Sequence, residues 1–163
     1  MIQKAKTGDL AQILNIYDAA RRYMAASGNP KQWGDGYPEE TMLRDDIQEG
    51  HLYVICDDSG EPHGVFAFIL GADPTYAVIE EGAWKNDKPY GTIHRLAGDG
   101  TMKGLFSQCL EFCRTICPEI RVDTHHDNRT MQHLAEKYGF QRCGIIYVRD
   151  GSPRIAYQYA GPN

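Results

Sequence analysis

Residues 93–106 read Ile93-His94-Arg95-Leu96-Ala97-Gly98-Asp99-Gly100-Thr101-Met102-Lys103-Gly104-Leu105-Phe106, an apolar strand that passes through a glycine-rich turn into a helix start. Such a turn leaves backbone N–H groups unpaired at a helix N-terminus, where the peptide dipoles also favour negative charge, so it suits a phosphate or pyrophosphate. The stretch is neither a dinucleotide fingerprint nor a Walker loop, because Gly-x-Gly-x-x-Gly and Gly-Lys-Ser/Thr are both missing. An ordinary connecting loop is the competing reading.

C-terminal to this turn, Met102, Leu105, Phe106, Cys109, Leu110, Cys113, Ile116 and Cys117 recur at helical offsets, and Pro118 closes the run. Ile120-Arg121-Val122-Asp123-Thr124 then alternates as a strand. Strand, turn, helix and strand in that order predict a right-handed crossover that lays this strand parallel to Gly91–Ala97, one βαβ unit. Asn128 precedes Met131, Leu134, Ala135 and Tyr138 at helical spacing, with Gly139 as a natural C′ residue and Phe140 folding back on the helix. Cys143–Val148 and Arg154–Tyr159 flank a turn and predict a closing hairpin.

In the N-terminal direction, His51–Cys56 and Gly64–Leu70 flank Asp57-Asp58-Ser59-Gly60 and predict an antiparallel pair. Ile2–Lys6 reads as a first strand, Asp9 as the N-cap of an amphipathic helix through Met24, and Pro38 as the first-turn residue of a short helix to about Glu49. Two loops carry aromatics: one holds Trp33 and Tyr37, the other Tyr76, Trp84 and Tyr90, with Tyr76–Ile79 a possible short strand. Aromatics in loops either face a ligand or pin the loop to the core.

The 163 residues suit one domain with a full core, and 42% hydrophobic with 24% charged residues is ordinary globular composition. A net charge of −5 argues against a nucleic-acid surface and is permissive for a cationic small molecule. The first nine residues lack an apolar signal core, and no apolar run reaches the roughly 18 residues of a membrane span, which predicts a cytoplasmic protein without a membrane partner. Five cysteines without a Cys-x-x-Cys pair fit reduced thiols, with Cys109, Cys113 and Cys117 on one helix face as small buried residues.

The order of these elements resembles the GNAT superfamily of acyl-CoA-dependent N-acyltransferases over nearly the whole chain. In that family the central strand ends in an apolar pair, here Leu96-Ala97, and a Gln/Arg-x-x-Gly-x-Gly/Ala loop holds the coenzyme A pyrophosphate. The corresponding loop here is Thr101-Met102-Lys103-Gly104-Leu105-Phe106, in which Gly104 matches while Thr101 and Phe106 depart from the pattern. Asn128 stands where the family has an asparagine that reaches the pantetheine arm, and Gly139-Phe140 matches the family's Gly-Phe helix end. Asn128 reads equally as a plain helix N-cap.

The resemblance implies an α/β (α+β) fold of one domain over residues 1–163: a central mixed, mostly antiparallel sheet of about six to seven strands with one splayed parallel pair and about four helices. It also implies acetyl-CoA as co-substrate, an amine acceptor, no metal, and the option of a homodimer. Residues 96, 97, 101–105 and 128 would contact the coenzyme, and Trp33, Tyr37, Tyr76, Trp84 and Tyr90 would line the acceptor pocket. Many family members carry a tyrosine four residues before the glycine of Gly-Phe as general acid, and Ala135 stands at that position. Tyr138 is then either the substitute acid or a core aromatic.

Direct transfer from a thioester needs a neutral amine, close juxtaposition, and a donor for the carbonyl oxygen as it gains charge. A backbone N–H near Leu96 would supply the donor. Parity places His94 with Thr92 and Leu96, and Arg121 with Asp123 and His125, so His94 with Asp123 or His125 is a candidate base and orienter. Buried structural hydrogen bonding is the alternative role for these side chains. A metal site of Asp123, His125 and His126 is disfavoured by strand alternation. Three functions follow: an N-acetyltransferase for a small amine, one for a protein amine, and a non-catalytic acyl-CoA-binding module.

Overall fold

The computed structural model describes residues 1–161. Seven strands form one mixed sheet: β1 (Ile2–Lys4), β2 (Leu52–Cys56), β3 (Pro62–Leu70), β4 (Gly91–Gly98), β5 (Ile120–Thr124), β6 (Phe140–Tyr147) and β7 (Pro153–Tyr159). Four helices accompany them: α1 (Leu10–Ala26), α2 (Glu40–Glu49), α3 (Leu105–Ile116) and α4 (Arg129–Lys137). The strand order is β1-β2-β3-β4-β5-β7-β6. The parallel pair is β4 with β5, in register at Gly91 with Ile120 and Thr92 with Arg121. The helix-linked strand pair expected from the sequence therefore forms, and β6 and β7 make the expected antiparallel closing hairpin.

By contact the chain divides into two compact units, Met1–Ile69 with Ile93–Phe112, and Leu70–Thr92 with the described residues from Cys113 onward. In the first, all five residues of β2 are buried. Strand alternation sends Leu52, Val54 and Cys56 into a cluster with Leu10, Ile13, Ile16 and Tyr17 of α1 and Leu43 of α2. Tyr53, of opposite parity, stacks on Phe66 at 5.3 Å between ring centres and meets Phe112 of α3 edge-on at 5.0 Å. A strand covered on both faces reads as a continuous apolar run, as 52–56 does.

The second unit is built on β5, β7 and β6, with Tyr76, Tyr90, Ile146 and Ala156 as its buried cluster. Cys109 and Cys113 are fully buried, in keeping with their apolar helix face, whereas Cys117, expected with them, lies past the end of α3 and is half-buried, its thiol 3.3 Å from the Glu119 carbonyl. Among the described residues no helix is long and apolar enough to cross a membrane.

Several boundaries move. Asp9 stands at the N-cap of α1 as expected, but its carboxylate accepts from the Lys6 N–H at 2.8 Å across the 3-10 turn Thr7–Asp9 and makes no side-chain bond to the helix. Pro38 lies outside α2, one residue before its N-cap Glu39, and not in its first turn. Tyr76 ends a 3-10 turn begun by Pro74 and capped by Asp73, where a short strand was the expectation; a proline with an aspartate before it starts a turn more readily than a strand. The helix expected from Met102 begins at Leu105, because Gly104 has φ +72°, outside the helical region.

Candidate functional site

In the first unit, the quoted stretch becomes β4, a turn over 99–104, and α3. The first backbone bond of α3 runs from the Gln108 N–H to the Gly104 carbonyl at 3.0 Å, which leaves the amides just ahead of it at the helix mouth. Gly100 and Gly104 both take left-handed backbone conformations, φ +87° and +72°. A Cβ on Gly98 would stand 2.3 Å from a Leu105 methyl carbon, so the missing side chain lets the first residue of α3 sit directly on the end of β4. The loop is thus glycine-built and opens onto a helix N-terminus, where the peptide dipoles favour an anion.

Behind the loop lies a cluster that local sequence patterns do not reveal. His63 of β3 is held at both ring nitrogens, Nδ1 at 2.8 Å from Asp99 Oδ2 and Nε2 at 2.8 Å from Asp57 Oδ2. Thr101 donates its backbone N–H and its hydroxyl to Asp99 Oδ1, at 2.9 and 2.6 Å, and its Oγ1 lies 3.0 Å from His63 Nδ1. Hydrogen bonds donated to Asp99 and Asp57 raise the His63 pKa above its ordinary value. Asp57 is held low by Ser59 and His63; burial pushes Asp99 up, but Thr101 and His63 outweigh it and hold it low.

Upstream in β4, Arg95 has φ +55°, a sparsely populated conformation for a residue with a side chain. Alternation therefore does not carry across Arg95, and the shared parity expected for His94 and Leu96 fails as a geometric argument. Arg95 is held at both ends. Its carbonyl accepts from the Tyr17 hydroxyl at 2.8 Å, and its guanidinium forms a buried ion pair with Asp46 of α2. Burial pushes the Tyr17 pKa well up, so its hydroxyl stays a donor. Trp33 packs edge-on against Tyr17 at 5.7 Å and lies 6.2 Å from Tyr37, whose hydroxyl accepts from Arg95 at 3.5 Å. These two loop aromatics back the Arg95 bend.

In the second unit, Asp123 of β5 accepts from the Tyr76 hydroxyl at 2.6 Å, a partner the sequence does not indicate. Tyr76 is 2% exposed, and burial, reinforced by the Asp123 charge, pushes its pKa far up. Trp84 lies 4.9 Å and Tyr90 6.2 Å from Tyr76, so the three aromatics of the second loop do meet. The faces of Trp84 and Tyr90 are taken by the Arg121 guanidinium, at 4.0 and 3.8 Å. Arg121 also donates to the Asn86 carbonyl at 2.9 Å, and its buried Nε has no hydrogen-bond partner among the described residues, the ring faces taking that place. Arg121→Ala should therefore destabilise the protein by roughly 2–4 kcal/mol and alter Trp84 emission, checked by thermal denaturation followed by tryptophan fluorescence.

His125 and His126 lie beyond the end of β5, so strand parity does not apply to them. Their rings stack at 4.4 Å, and His125 Nδ1 accepts from the Asp127 N–H at 3.0 Å. Asn128 accepts from the Met131 N–H at 3.0 Å as the N-cap of α4. Tyr138 is half-buried at the C-cap of α4, its ring 5.4 Å from the Lys137 ammonium, and Ala135 is fully buried. Gly139 takes φ +95° after it, the helix stop expected from Gly-Phe.

An acetyltransferase of the GNAT family from Streptococcus agalactiae 2603 has a crystal structure that superposes with a TM-score of 0.89 at 34% identity, over 100% of this chain and 96% of that one. A GNAT-family acetyltransferase from Listeria monocytogenes 4b F2365 follows at TM-score 0.71 and 19% identity, over 97% of this chain and 92% of that one. A chain of the NatC complex bound to Gag peptide and CoA shares the fold at TM-score 0.62 and 18% identity, over 100% of this chain and 98% of that one. No family model and no curated protein matches the sequence. With a third of its residues shared along nearly the full length of the streptococcal protein, the chain belongs to the GNAT family of acetyltransferases.

Proposed function

We propose that the protein, acting as one acyltransferase domain, moves the acetyl group of acetyl-CoA directly onto a primary amine of a small molecule. The observation that carries this reading is the Thr101–Gly104 turn, glycine-built and opening onto the N-terminus of a helix of 12 residues. Its amides and Lys103 fit a pyrophosphate by charge and by hydrogen-bond donors. Leu96, Met102 and Leu105 are the apolar side chains proposed beside it, and Asn128 a polar contact for the pantetheine arm; Ala97, expected with them, has its side chain in the first unit's core and could meet the coenzyme only through its backbone.

The bound donor supplies an activated acetyl thioester. The strained Arg95 backbone immediately precedes Leu96, whose N–H is the proposed donor to the thioester carbonyl as its oxygen gains charge. The acceptor nitrogen forms the C–N bond while the C–S bond breaks, the amine proton passing to a base and the thiolate taking a proton from an acid. His94 is the proposed base, and Asp123, with His125, the polar group that orients the amine. Tyr138 is the proposed acid. Of the loop aromatics, Trp33, Tyr37 and Trp84 are partly exposed and are the ones offered to the acceptor, whereas Tyr76 and Tyr90 are buried and support Asp123 and Arg121; the net charge of −5 is permissive for a cationic acceptor.

The test is acetyl-dependent thiol release against a panel of small amines and amine-bearing peptides, run from pH 6 to 9. Turnover with a small amine is expected, and His94→Ala should lower kcat/KM by about 10²-fold and remove the limb of the pH profile that reports the base. Asp123→Asn should raise KM for the amine more than it lowers kcat. Rates and pH profile unchanged in both variants would remove these residues from the reaction, and turnover confined to peptides would replace the small-amine reading.

A further inference from the structure

A turn that receives a pyrophosphate is poorly served by a carboxylate at its entrance, yet Asp99 stands there, bonded to both the backbone and the hydroxyl of Thr101. His63 lies behind it, with a side chain 18% exposed, against 19% for Asp99 and 35% for Asp57. We propose that His63 is a positioning residue for the coenzyme loop: its imidazolium, clamped by Asp57 and Asp99, fixes the 99–101 turn and cancels the carboxylate charge that would oppose a bound pyrophosphate. This inference rests on the reading of the Thr101–Gly104 turn as the pyrophosphate cradle.

The geometry requires a cation. Each ring nitrogen faces a carboxylate oxygen at 2.8 Å, and a neutral imidazole has one N–H to donate, so it would leave one of those contacts without a proton. The loop and the strand are further joined by the Asp99 N–H donating to the His63 carbonyl at 3.0 Å. The ionisable groups that face His63 are Asp57 and Glu61 from the turn between β2 and β3, and Asp99 from the loop after β4, all acidic.

The sign of the pH dependence follows. His63 titrates above its unfolded value of about 6.5, so its contribution is complete below that pH and is lost as pH rises through the elevated folded value. Asp57 and Asp99 titrate below their unfolded value of about 3.9, so their contribution is lost only as pH falls beneath it. The clasp is therefore complete between the ordinary carboxylate and imidazole ranges, and opens as pH rises through the elevated His63 value. Coenzyme affinity should weaken in the same direction, and by linkage His63 should hold its proton more tightly when the coenzyme is bound.

Calorimetric titration of coenzyme A into the wild type, His63→Gln and Gly104→Trp between pH 6 and 9 tests this, since ionisation of the ligand is common to all three proteins. Wild-type affinity is expected to fall at least roughly fivefold more across the range than that of His63→Gln, which should bind more weakly at pH 6 and converge on the wild type at pH 9. In parallel, the NMR titration of the His63 ring in the wild type should move to higher pH when coenzyme A is added. A His63→Gln profile parallel to that of the wild type, or a His63 titration unmoved by the coenzyme, overturns the role of His63. Wild-type affinity in Gly104→Trp overturns the cradle itself, and with it this inference.

Discussion

Gly104→Trp is expected to weaken acetyl-CoA binding at least a hundredfold, about 2.7 kcal/mol, while leaving a folded protein. A Cβ at this position would meet only the Gln108 amide nitrogen, at 4.0 Å, so the indole does not have to enter the core. It does have to occupy the space in front of the turn, where a pyrophosphate would approach the backbone amides. The left-handed conformation, φ +72°, adds strain of about 1–2 kcal/mol for any residue with a side chain. Thermal denaturation should register that modest loss, and calorimetry the large one. Gly104→Ala separates the two, since it carries the same strain without the bulk and should retain most of the coenzyme affinity.

The largest loss of stability is expected from Asp46→Ala. Asp46 and Arg95 are buried partners whose side chains are 12% and 9% exposed, and removing the carboxylate leaves a guanidinium in the first unit's interior without its counter-charge. Breaking such a pair from one side costs about 3–5 kcal/mol, which for a chain of this size lowers Tm by roughly 6–20 °C. Because Arg95 also carries the φ +55° bend before Leu96, turnover should fall in Asp46→Ala even at temperatures where it is folded. A variant in which Arg95 is also replaced by Met removes the orphaned charge and should recover stability without recovering turnover. Recovery of both would mean that the ion pair acts on stability alone.

How far the sequence carries can be judged at particular residues. The run of Leu105, Phe106, Cys109, Leu110 and Cys113, and the alternation of Ile120–Thr124, are periodic features, and periodicity is a local property that survives without tertiary context. They led to the parallel β4–β5 pair, and with the Gly139-Phe140 stop to the family. Gly104 was legible for the same reason, because a turn into a helix needs a residue free to take positive φ.

The partners of the site were not legible, because they depend on contacts between distant parts of the chain. His63 is separated from Asp99 by 36 residues, and Tyr76 from Asp123 by 47. In the sequence Arg121 is one member of a strand face, and its stacking between Trp84 and Tyr90 depends on a loop of no regular period. Parity failed at Arg95 for a related reason: the bend there is imposed by Tyr17 and Asp46 from two helices, not by the residue itself. A strand that carries an Arg between His94 and Leu96 gives no local sign that alternation stops.

Acetyl-CoA as the acyl donor is tested most directly by titrating it into the wild-type protein at pH 7 and following the heat released. Saturable binding of one molecule per chain, with Kd between about 1 µM and 1 mM, is the expected result. No saturable binding at millimolar acetyl-CoA, from protein shown to be folded in the same sample, would contradict it.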